Sequence, residues 1–392
     1  MNKELISSEV QNFIDDNLKT DIHKIILSKP KFKNVSQKEL AEQIESKVRA
    51  KSKLPTWFKT KNIYYPNKLN LSQTSSEITA NYKASLIEGN SLIDITGGFG
   101  VDSFAFSLKV NQVTHIENNE ALSKIAEYNF TQMGITNIKC ISEDGLAFLN
   151  NTSNSYNWLY VDPSRRDKNN KKVYYLADCE PNVVSNMDLL LSKSSNLIIK
   201  TGPLLDIKSG LKELGSVKEI HIVAVNNDVK ELLWLIEKGF NSETLIKTVN
   251  FKSNNVQEFN FNISDEEHTI SEYSEPLTYI YEPNASILKS GSFHFIGKHF
   301  NLHKLHPNSH LYTSEKLIQF PGRIFKVEDI YDYSKKTFKK SGISKANITT
   351  RNFPDSVEKI RKKLGIKDGG NNYLFCTTNI DGKLIVISTF QH

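Results

Sequence analysis

The chain has 392 residues, of which 38% are hydrophobic and 24% charged, and its formal net charge is +6. This length predicts a main domain with smaller additions, and the apolar content excludes a chain that is disordered throughout. The three cysteines include no CxxC pair and no run approaches about 18 apolar residues, so we expect a cytoplasmic protein without a disulfide framework, zinc ribbon or membrane span.

Residues 1–70 are predicted to form an N-terminal helical region, because apolar residues recur there at helical spacing among charged ones. Leu5, Val10 and Ile14 illustrate the spacing. The next stretch, SSEITANYKASLI, is predicted as a further helix, and the apolar run SLIDIT after it is predicted as the first buried strand.

Between residues 71 and 264, strand-like and helix-like stretches alternate along the chain. Five further strands are predicted in the runs VTHIE, NIKCIS, NWLYVD, NLIIKT and VKEIHIVAV. Helices are predicted between them, for instance in NEALSKIAEYNFTQM and around residues 183–191. This alternation predicts an α/β domain of Rossmann-like, doubly wound form, in which helices cover both faces of a parallel sheet.

Residues 265–392 are predicted as a separate, small α+β module, which begins after a polar and acidic linker, SDEEHTISEYSE. Two basic stretches in this module, KKTFKKSG and SVEKIRKKLGI, suit contacts with phosphates, although a solvated helix face gives the same pattern. Its histidines between 294 and 310 lie around Pro307, which would interrupt any helix that aligned them. We therefore predict that the protein binds no metal.

The glycine cluster in DITGGFGVDS follows the first strand and precedes a helix, where the backbone can approach a ligand more closely than any Cβ would allow. A dinucleotide is disfavoured, because the G-x-G-x-x-G pattern lacks its third glycine and Asp102 would lie near the pyrophosphate. S-adenosylmethionine carries no phosphate and is the predicted cofactor. Its predicted contacts in this loop are Asp94, Thr96, Gly97, Gly98 and Gly100.

Two carboxylates on the following strands extend the predicted cofactor site. Glu117 ends the second strand and could accept hydrogen bonds from both ribose hydroxyls, with Asn118 beside it. Asp144 and Gly145 follow the third strand, where the carboxylate could accept a hydrogen bond from the adenine amino group. The alternative for Asp144 is that it only caps the following helix.

The fourth strand ends in VDPSRRD, which predicts a reaction centre at Asp162, Pro163 and Arg165, since ligand crevices lie at the carboxyl ends of parallel strands. Asp162 would orient an acceptor amine and also border the cofactor. Arg165 and Arg166 could grip a phosphate or a base, or could pair with neighbouring carboxylates. Cys179 raises the alternative of covalent attack on a pyrimidine, but a buried, inert thiol is the simpler interpretation.

These residues make the chain resemble the class I S-adenosylmethionine-dependent methyltransferases, in particular a bacterial group with a C-terminal THUMP-like domain. The resemblance extends over most of the chain, through the segments SSEITANYKASLI, DITGGFGVDSFAFS, VDPSRRD, DCEPNV, YEPNASILKSG, KLHPNSHLYTS, FPGRIF and LFCTTN. The D-x-T-x-G-x-G form of the glycine loop is similar to loops of RNA guanine-N2 methyltransferases. The resemblance implies a ferredoxin- or THUMP-like C-terminal module, an RNA partner such as tRNA or rRNA, and methylation of a base.

Two other functions stay open on the sequence alone. One is an RNA-binding or scaffold protein whose methyltransferase fold is vestigial. The other is a methyltransferase that acts on a small molecule or a protein. The sequence does not predict the oligomeric state.

Overall fold

The computed structural model describes residues 1–164 and 175–392. The fold divides into two compact units: unit 1 comprises Met1–Val217 with Trp234–Phe240, and unit 2 comprises Lys218–Leu233 with Asn241–His392. Arg165 and Arg166 of the predicted reaction centre lie outside the described residues.

Unit 1 begins with the predicted helical region. Its helices are α1 (Ser8–Asp16), α2 (Ile22–Leu27), α3 (Gln37–Lys53), α4 (Pro55–Lys59), α5 (Lys68–Gln73) and α6 (Glu77–Ser85), preceded by a 3₁₀ helix at Lys3–Ile6. Helix α3 starts at a capping box, in which the Ser36 side chain accepts from the Glu39 N–H and the Glu39 carboxylate accepts from the Ser36 N–H. Its buried residues Leu40 and Ile44 join a hydrophobic cluster with α1 and α2.

The rest of unit 1 alternates strands and helices as predicted. The elements are β1 (Ser91–Asp94), α7 (Val101–Ser107), β2 (Gln112–Ile116), α8 (Glu120–Gln132), β3 (Ile138–Ile141), α9 (Gly145–Asn151), β4 (Tyr156–Val161), a 3₁₀ helix (Leu176–Asp178), α10 (Met187–Lys193), β5 (Ser194–Thr201) and α11 (Ile207–Leu214). The strand order is β3-β2-β1-β4-β5, and each of these neighbouring pairs is parallel. The predicted Rossmann-like parallel sheet is confirmed.

The helical region packs directly on this sheet domain. The Asn129 side chain of α8 accepts from the Tyr64 N–H and donates to the Tyr64 carbonyl, both at 2.9 Å. The Trp57 ring of α4 lies 4.7 Å from the ring of Phe99, which belongs to the glycine loop. The N-terminal region therefore supports the glycine loop within unit 1.

Unit 2 contains most of the remaining strands. Its elements are β6 (Glu219–Val225), β7 (Asp228–Glu237), β8 (Leu245–Phe251), β9 (Val256–Asn262), α12 (Ile263–Glu267), β10 (Tyr279–Pro283), α13 (Ala285–Ser290), α14 (Phe295–His299), β11 (His303–Lys304), β12 (Tyr312–Ser314), β13 (Gly322–Asp332), α15 (Lys335–Phe338), a 3₁₀ helix (Lys339–Ser341), β14 (Lys345–Arg351), α16 (Val357–Leu364), β15 (Lys367–Thr378) and β16 (Leu384–Gln391). The division falls within β7, whose first part belongs to unit 2 and whose residues from Trp234 onward belong to unit 1.

Two sheets shape unit 2. In the first, β6 pairs in parallel with β8, and β8 pairs antiparallel with β9. The second has the order β11-β12-β10-β13-β16-β15-β14 and is antiparallel except for the β14–β15 pair. The predicted α+β character of the C-terminal module is confirmed by this mixture of strands and short helices.

The acidic segment that was expected to be a linker contains helix α12 instead. The Glu266 carboxylate accepts backbone N–H groups of Phe293, His294 and Phe295 at 2.8 to 3.1 Å. These bonds fix the segment to the start of α14. Glu266 therefore caps the N-terminal end of that helix, and the segment is not a flexible linker. The domain boundary between 264 and 265 stays a prediction.

Candidate active site

A cleft of about 130 Å³ lies at the carboxyl ends of the parallel strands of unit 1. The residues that line it come from four places: α5 and its following turn, the glycine loop with the start of α7, Leu122 of α8, and the end of β4. Among the predicted site residues, those that line the cleft are Thr96, Gly97, Gly98, Gly100 and Asp162. The sequence pattern gave no sign of the contribution of residues 70–75.

Thr96 connects the glycine loop to the end of β4. Its backbone N–H donates to Asp94 Oδ1 at 3.0 Å, and its hydroxyl oxygen accepts the backbone N–H of Asp162 at 2.7 Å. A glycine at this position would leave the Asp162 N–H without this acceptor. The threonine therefore ties the predicted cofactor loop to the predicted reaction centre.

The three glycines of the loop are required for different reasons. A Cβ at Gly97 would lie 2.2 Å from the His115 ring, and one at Gly100 would lie 2.4 Å from the Phe130 ring. At Gly98, where φ is +58°, the nearest atom would be 3.8 Å away. Gly97 and Gly100 thus allow close packing behind the loop, whereas Gly98 leaves open space. Gly98 and Gly100, with φ of +58° and +89°, also adopt a backbone conformation that favours glycine.

Glu117 braces the glycine loop from the end of β2. Its Oε2 accepts the Gly98 N–H at 2.8 Å, and its Oε1 accepts the Asn119 N–H at 2.7 Å. Each carboxylate oxygen retains a further lone pair, and the side chain is partly exposed, as is required of an acceptor for ribose hydroxyls. Asn118 follows it on the surface.

Asp144 caps helix α9, and its Oδ1 accepts the Ala147 N–H at 2.9 Å. This is the capping role that the sequence left open, and the adenine contact stays a prediction. A Cβ at Gly145 would lie 2.4 Å from the Ile95 carbonyl oxygen, so this glycine lets α9 approach β1. Neither residue is among those that line the cleft.

Asp162 is held from two sides. Its N–H is bound by Thr96, and its carboxylate forms a short ion pair with the Lys200 ammonium at the end of β5. The Asp162 side chain remains 33% exposed, so it is available to a ligand in the cleft. The sheet register explains the pair, because Val161 aligns with Ile199, and each partner is the next residue.

The other predicted residues of this strand end lie close by. Pro163 is buried, and Ser164 forms two backbone hydrogen bonds with Glu180. Cys179 is 5% exposed, and its thiol lies 3.5 Å from the Tyr175 carbonyl oxygen.

A buried ionic network beneath the cleft was missed by the sequence analysis. The fully buried Lys83 ammonium lies 3.2 Å from the Asp102 carboxylate, which also accepts hydrogen bonds from the Ser75 and Tyr160 hydroxyls at 2.8 and 2.9 Å. Burial alone would raise the pKa of Asp102, but the charges of Lys83 and Lys200 and these hydrogen bonds lower it. The one available signal was a lysine among the small apolar positions of α6.

A second set of buried, hydrogen-bonded side chains connects β1, α7 and β2. The Ser103 hydroxyl lies 2.6 Å from Asp94 Oδ2 and 2.9 Å from His115 Nδ1. Burial raises the pKa of Asp94 to about 7 and lowers the pKa of His115 to about 4. Near neutral pH the imidazole is therefore uncharged, and it packs against the glycine loop without introducing a positive charge.

Comparisons with known proteins give matches at the level of domains and of the whole fold. Residues 279–321 match a family described as a ferredoxin-like domain, and residues 322–389 match a family described as THUMP domain-like. No curated protein matches the sequence.

A solved structure from Porphyromonas gingivalis matches this chain over its entire length. A proposed methyltransferase from Porphyromonas gingivalis W83 is 31% identical with a TM-score of 0.90, and the match covers 100% of this chain and 99% of that one. TrmK of M. capricolum, solved with S-adenosylhomocysteine, is 16% identical with a TM-score of 0.33, over 45% of this chain and 70% of that one.

Within 1–164 and 175–392, no group of three or more histidine, cysteine, aspartate or glutamate side chains is placed to hold a metal ion. No helix in the same ranges has the length and apolar character needed to cross a membrane.

Proposed function

The chain belongs to the class I S-adenosylmethionine-dependent methyltransferases with a C-terminal THUMP-like domain, and we propose that it methylates a base of tRNA or rRNA. The observation that carries this proposal is the position of Asp162. Its partly exposed carboxylate lies in the cleft at the end of β4 and is connected to the glycine loop through Thr96.

The residues of the cleft fit S-adenosylmethionine. Gly98 offers open space where the backbone can approach the ligand, and the Glu117 carboxylate beside it can accept hydrogen bonds from ribose hydroxyls. The carboxylates of Asp102 and Asp162 line the same cleft and suit a sulfonium cation. When bound, the cofactor supplies an activated methyl group. Asp144 would accept a hydrogen bond from the adenine amino group with the oxygen that does not cap α9.

Asp162 would bind and orient the acceptor. Its carboxylate can accept a hydrogen bond from an exocyclic amine such as guanine N2, which directs the nitrogen lone pair away from the carboxylate and toward the methyl group. Lys200 fixes the carboxylate and is a positioning residue, because it acts through Asp162. Pro163 and Arg165 would border the acceptor.

RNA is favoured as the substrate by a cluster of exposed lysines in unit 2, which we name the C-terminal lysine cluster. Its members surround one small hydrophobic core that includes Phe338, Ala346 and Ile360. The cluster consists of Lys335, Lys336, Lys339, Lys340, Lys345, Lys359, Lys362, Lys363 and Lys367. Such a concentration of positive charge suits the phosphates of a nucleic acid.

The proposal is tested by mass spectrometry of nucleosides from total RNA of wild-type and deletion strains. We expect one methylated nucleoside to disappear in the deletion strain and to return with the wild-type gene. It should not return fully when Lys335, Lys336, Lys339 and Lys340 are all changed to serine. The matched control carries four changes at exposed lysines of unit 1 and should restore the nucleoside: Lys109→Ser, Lys139→Ser, Lys208→Ser and Lys212→Ser.

Two results would contradict the proposal. An unchanged set of nucleosides in the deletion strain would exclude RNA as the substrate and favour a small molecule or a protein. Full restoration by a variant in which Asp162 is changed to alanine would show that the chemistry does not depend on this carboxylate, as expected of a scaffold role.

A further inference from the structure

Unit 2 contains a polar cavity of about 590 Å³, which we name the amide cavity. It is formed by the β6–β7 turn at 226–227, the β8–β9 turn at 252–255, the end of β10 and the start of β13. Its volume lies within the range of about 300–1,000 Å³ that is typical of small-molecule sites.

Hydrogen bonds fix the frame of the cavity. The Gln257 side chain accepts from the amides of Asn250 and Asn284 at 3.0 and 3.3 Å and donates to the Gly322 carbonyl at 2.9 Å. Asn227, in a left-handed conformation with φ of +63°, accepts the Ala285 N–H at 2.7 Å. The β6–β7 turn and the β8–β9 hairpin are thereby joined to β10 and α13.

Three further side-chain amides of the cavity lining take no part in these hydrogen bonds. Within the described residues, the side chains of Asn226, Asn254 and Asn255 make no hydrogen bond, and all three are exposed. A carboxamide carries a donor and an acceptor side by side, so it can pair with the edge of a nucleobase. Three such groups around one cavity are suited to a ligand with several donors and acceptors.

The charge of the cavity is positive. Lys252 and Arg323 line it, and none of the described residues that line it is a carboxylate. The nearby Glu282 is bound by Arg323 and by Arg351, so one carboxylate is shared by two guanidinium groups. The cavity therefore favours an anionic ligand.

From these features we propose that the amide cavity binds a nucleotide, with the amides on the base and Lys252 and Arg323 on the phosphate. The nucleotide comes either from a free pool or from one unstacked position of an RNA strand, because the two present the same chemistry. This site goes beyond the proposed methyl transfer, which uses the cleft of unit 1.

The test measures binding to the full-length protein by calorimetry. The probes are AMP, GMP, CMP, UMP, ribose 5-phosphate and a short single-stranded RNA of mixed sequence. We expect at least one nucleotide to bind about tenfold more tightly than ribose 5-phosphate, because the amides contact the base. Lys252→Ala and the double change Asn254→Ala with Asn255→Ala should each weaken this binding about fivefold or more. The controls Lys316→Ala and Asn154→Ala, at exposed positions outside the lining, should leave it unchanged.

The RNA probe identifies the source. If the cavity variants weaken RNA and nucleotide binding together, the ligand is part of a strand; if only nucleotide binding weakens, the ligand is free. The proposal is overturned if no nucleotide binds at millimolar concentration and RNA affinity is unaffected by the variants, or if ribose 5-phosphate binds as tightly as every nucleotide. S-adenosylmethionine binding in the same samples reports on the cleft, so failure of this inference is distinguishable from failure of the proposed function.

Discussion

The cleft of unit 1 and the amide cavity of unit 2 are both polar, but they are built by different means. The cleft is shaped by backbone groups of a glycine loop, and carboxylates line it. The amide cavity is shaped by side-chain carboxamides and two cationic residues, without a lining carboxylate among the described residues. The first arrangement suits a ligand with hydroxyls and a positive charge, and the second suits a base with a phosphate.

The largest effect should come from the one exposed carboxylate of the cleft that is proposed to touch the acceptor. Asp162→Asn should lower kcat about 100-fold, because an amide orients the acceptor amine poorly and cannot take up its proton. Lys200→Met should lower kcat by a smaller factor than Asp162→Asn does. Lys200→Arg should keep kcat close to the wild-type value, and KM should change little in both variants. The control is Asp178→Asn, an exposed aspartate, measured in the same methyl-transfer assay. Equal activity of Asp162→Asn and the control would refute the role of Asp162.

A second prediction compares close packing at Gly145, which lies outside the cleft lining, with open space at Gly98, which lines the cleft. Gly145→Ala should lower the free energy of unfolding of unit 1 by about 3 kcal/mol, because its Cβ would lie 2.4 Å from the Ile95 carbonyl oxygen. Gly98→Ala should cost only about 1 kcal/mol, from its left-handed backbone alone. Urea denaturation measures both. Similar losses for the two variants would show that the space at Gly98 is not open.

A third prediction concerns pH, and it tests the buried side chains Asp94 and His115 behind the glycine loop, whose effects nearly cancel in the wild-type protein. Folded Asp94 keeps its proton up to about pH 7, so its contribution to stability falls as the pH rises above its unfolded pKa of 3.8. Folded His115 stays neutral down to about pH 4, so its contribution rises as the pH rises from about 4 to 6.5. The two contributions offset each other in the wild-type protein.

Substitution of either Asp94 or His115 should reveal the pH dependence of stability that the other residue contributes. In His115→Asn, the free energy of unfolding should fall by up to about 1.4 kcal/mol per pH unit between pH 4 and 7. In Asp94→Asn it should rise with pH over the range from about 4 to 6.5. Denaturation series at several pH values measure these slopes, and parallel profiles in both variants would contradict the opposite shifts of the two pKa values.

The sequence predicted unit 1 better than unit 2 for a physical reason. Parallel strands buried on both faces form short apolar runs that alternate with helices, and the glycine loop follows the first of them. Strand β7 contains the continuous apolar run LLWLI, whose periodicity does not distinguish a strand from a buried helix, and it was not predicted. Strands β8 and β9 were not predicted either.

The site was only partly predictable for a similar reason. The pairing of Asp162 with Lys200 could have been derived from the adjacent parallel strands at whose carboxyl ends both residues lie. The burial of Lys83 could not, because its partner Asp102 lies on another helix. The amide cavity was not found either, since asparagines in turns are expected for their backbone conformation alone.

The central claim is that the glycine loop and Glu117 hold S-adenosylmethionine, and calorimetry with this cofactor tests it most directly. We predict saturable binding to the wild-type protein and an affinity at least about tenfold lower for Glu117→Gln, because a charged acceptor for the ribose hydroxyls is lost. The control is Glu120→Gln, at an exposed position that follows Glu117 closely along the chain, and it should bind the cofactor like the wild type. Absence of any binding heat at millimolar cofactor in the wild-type protein would contradict the account.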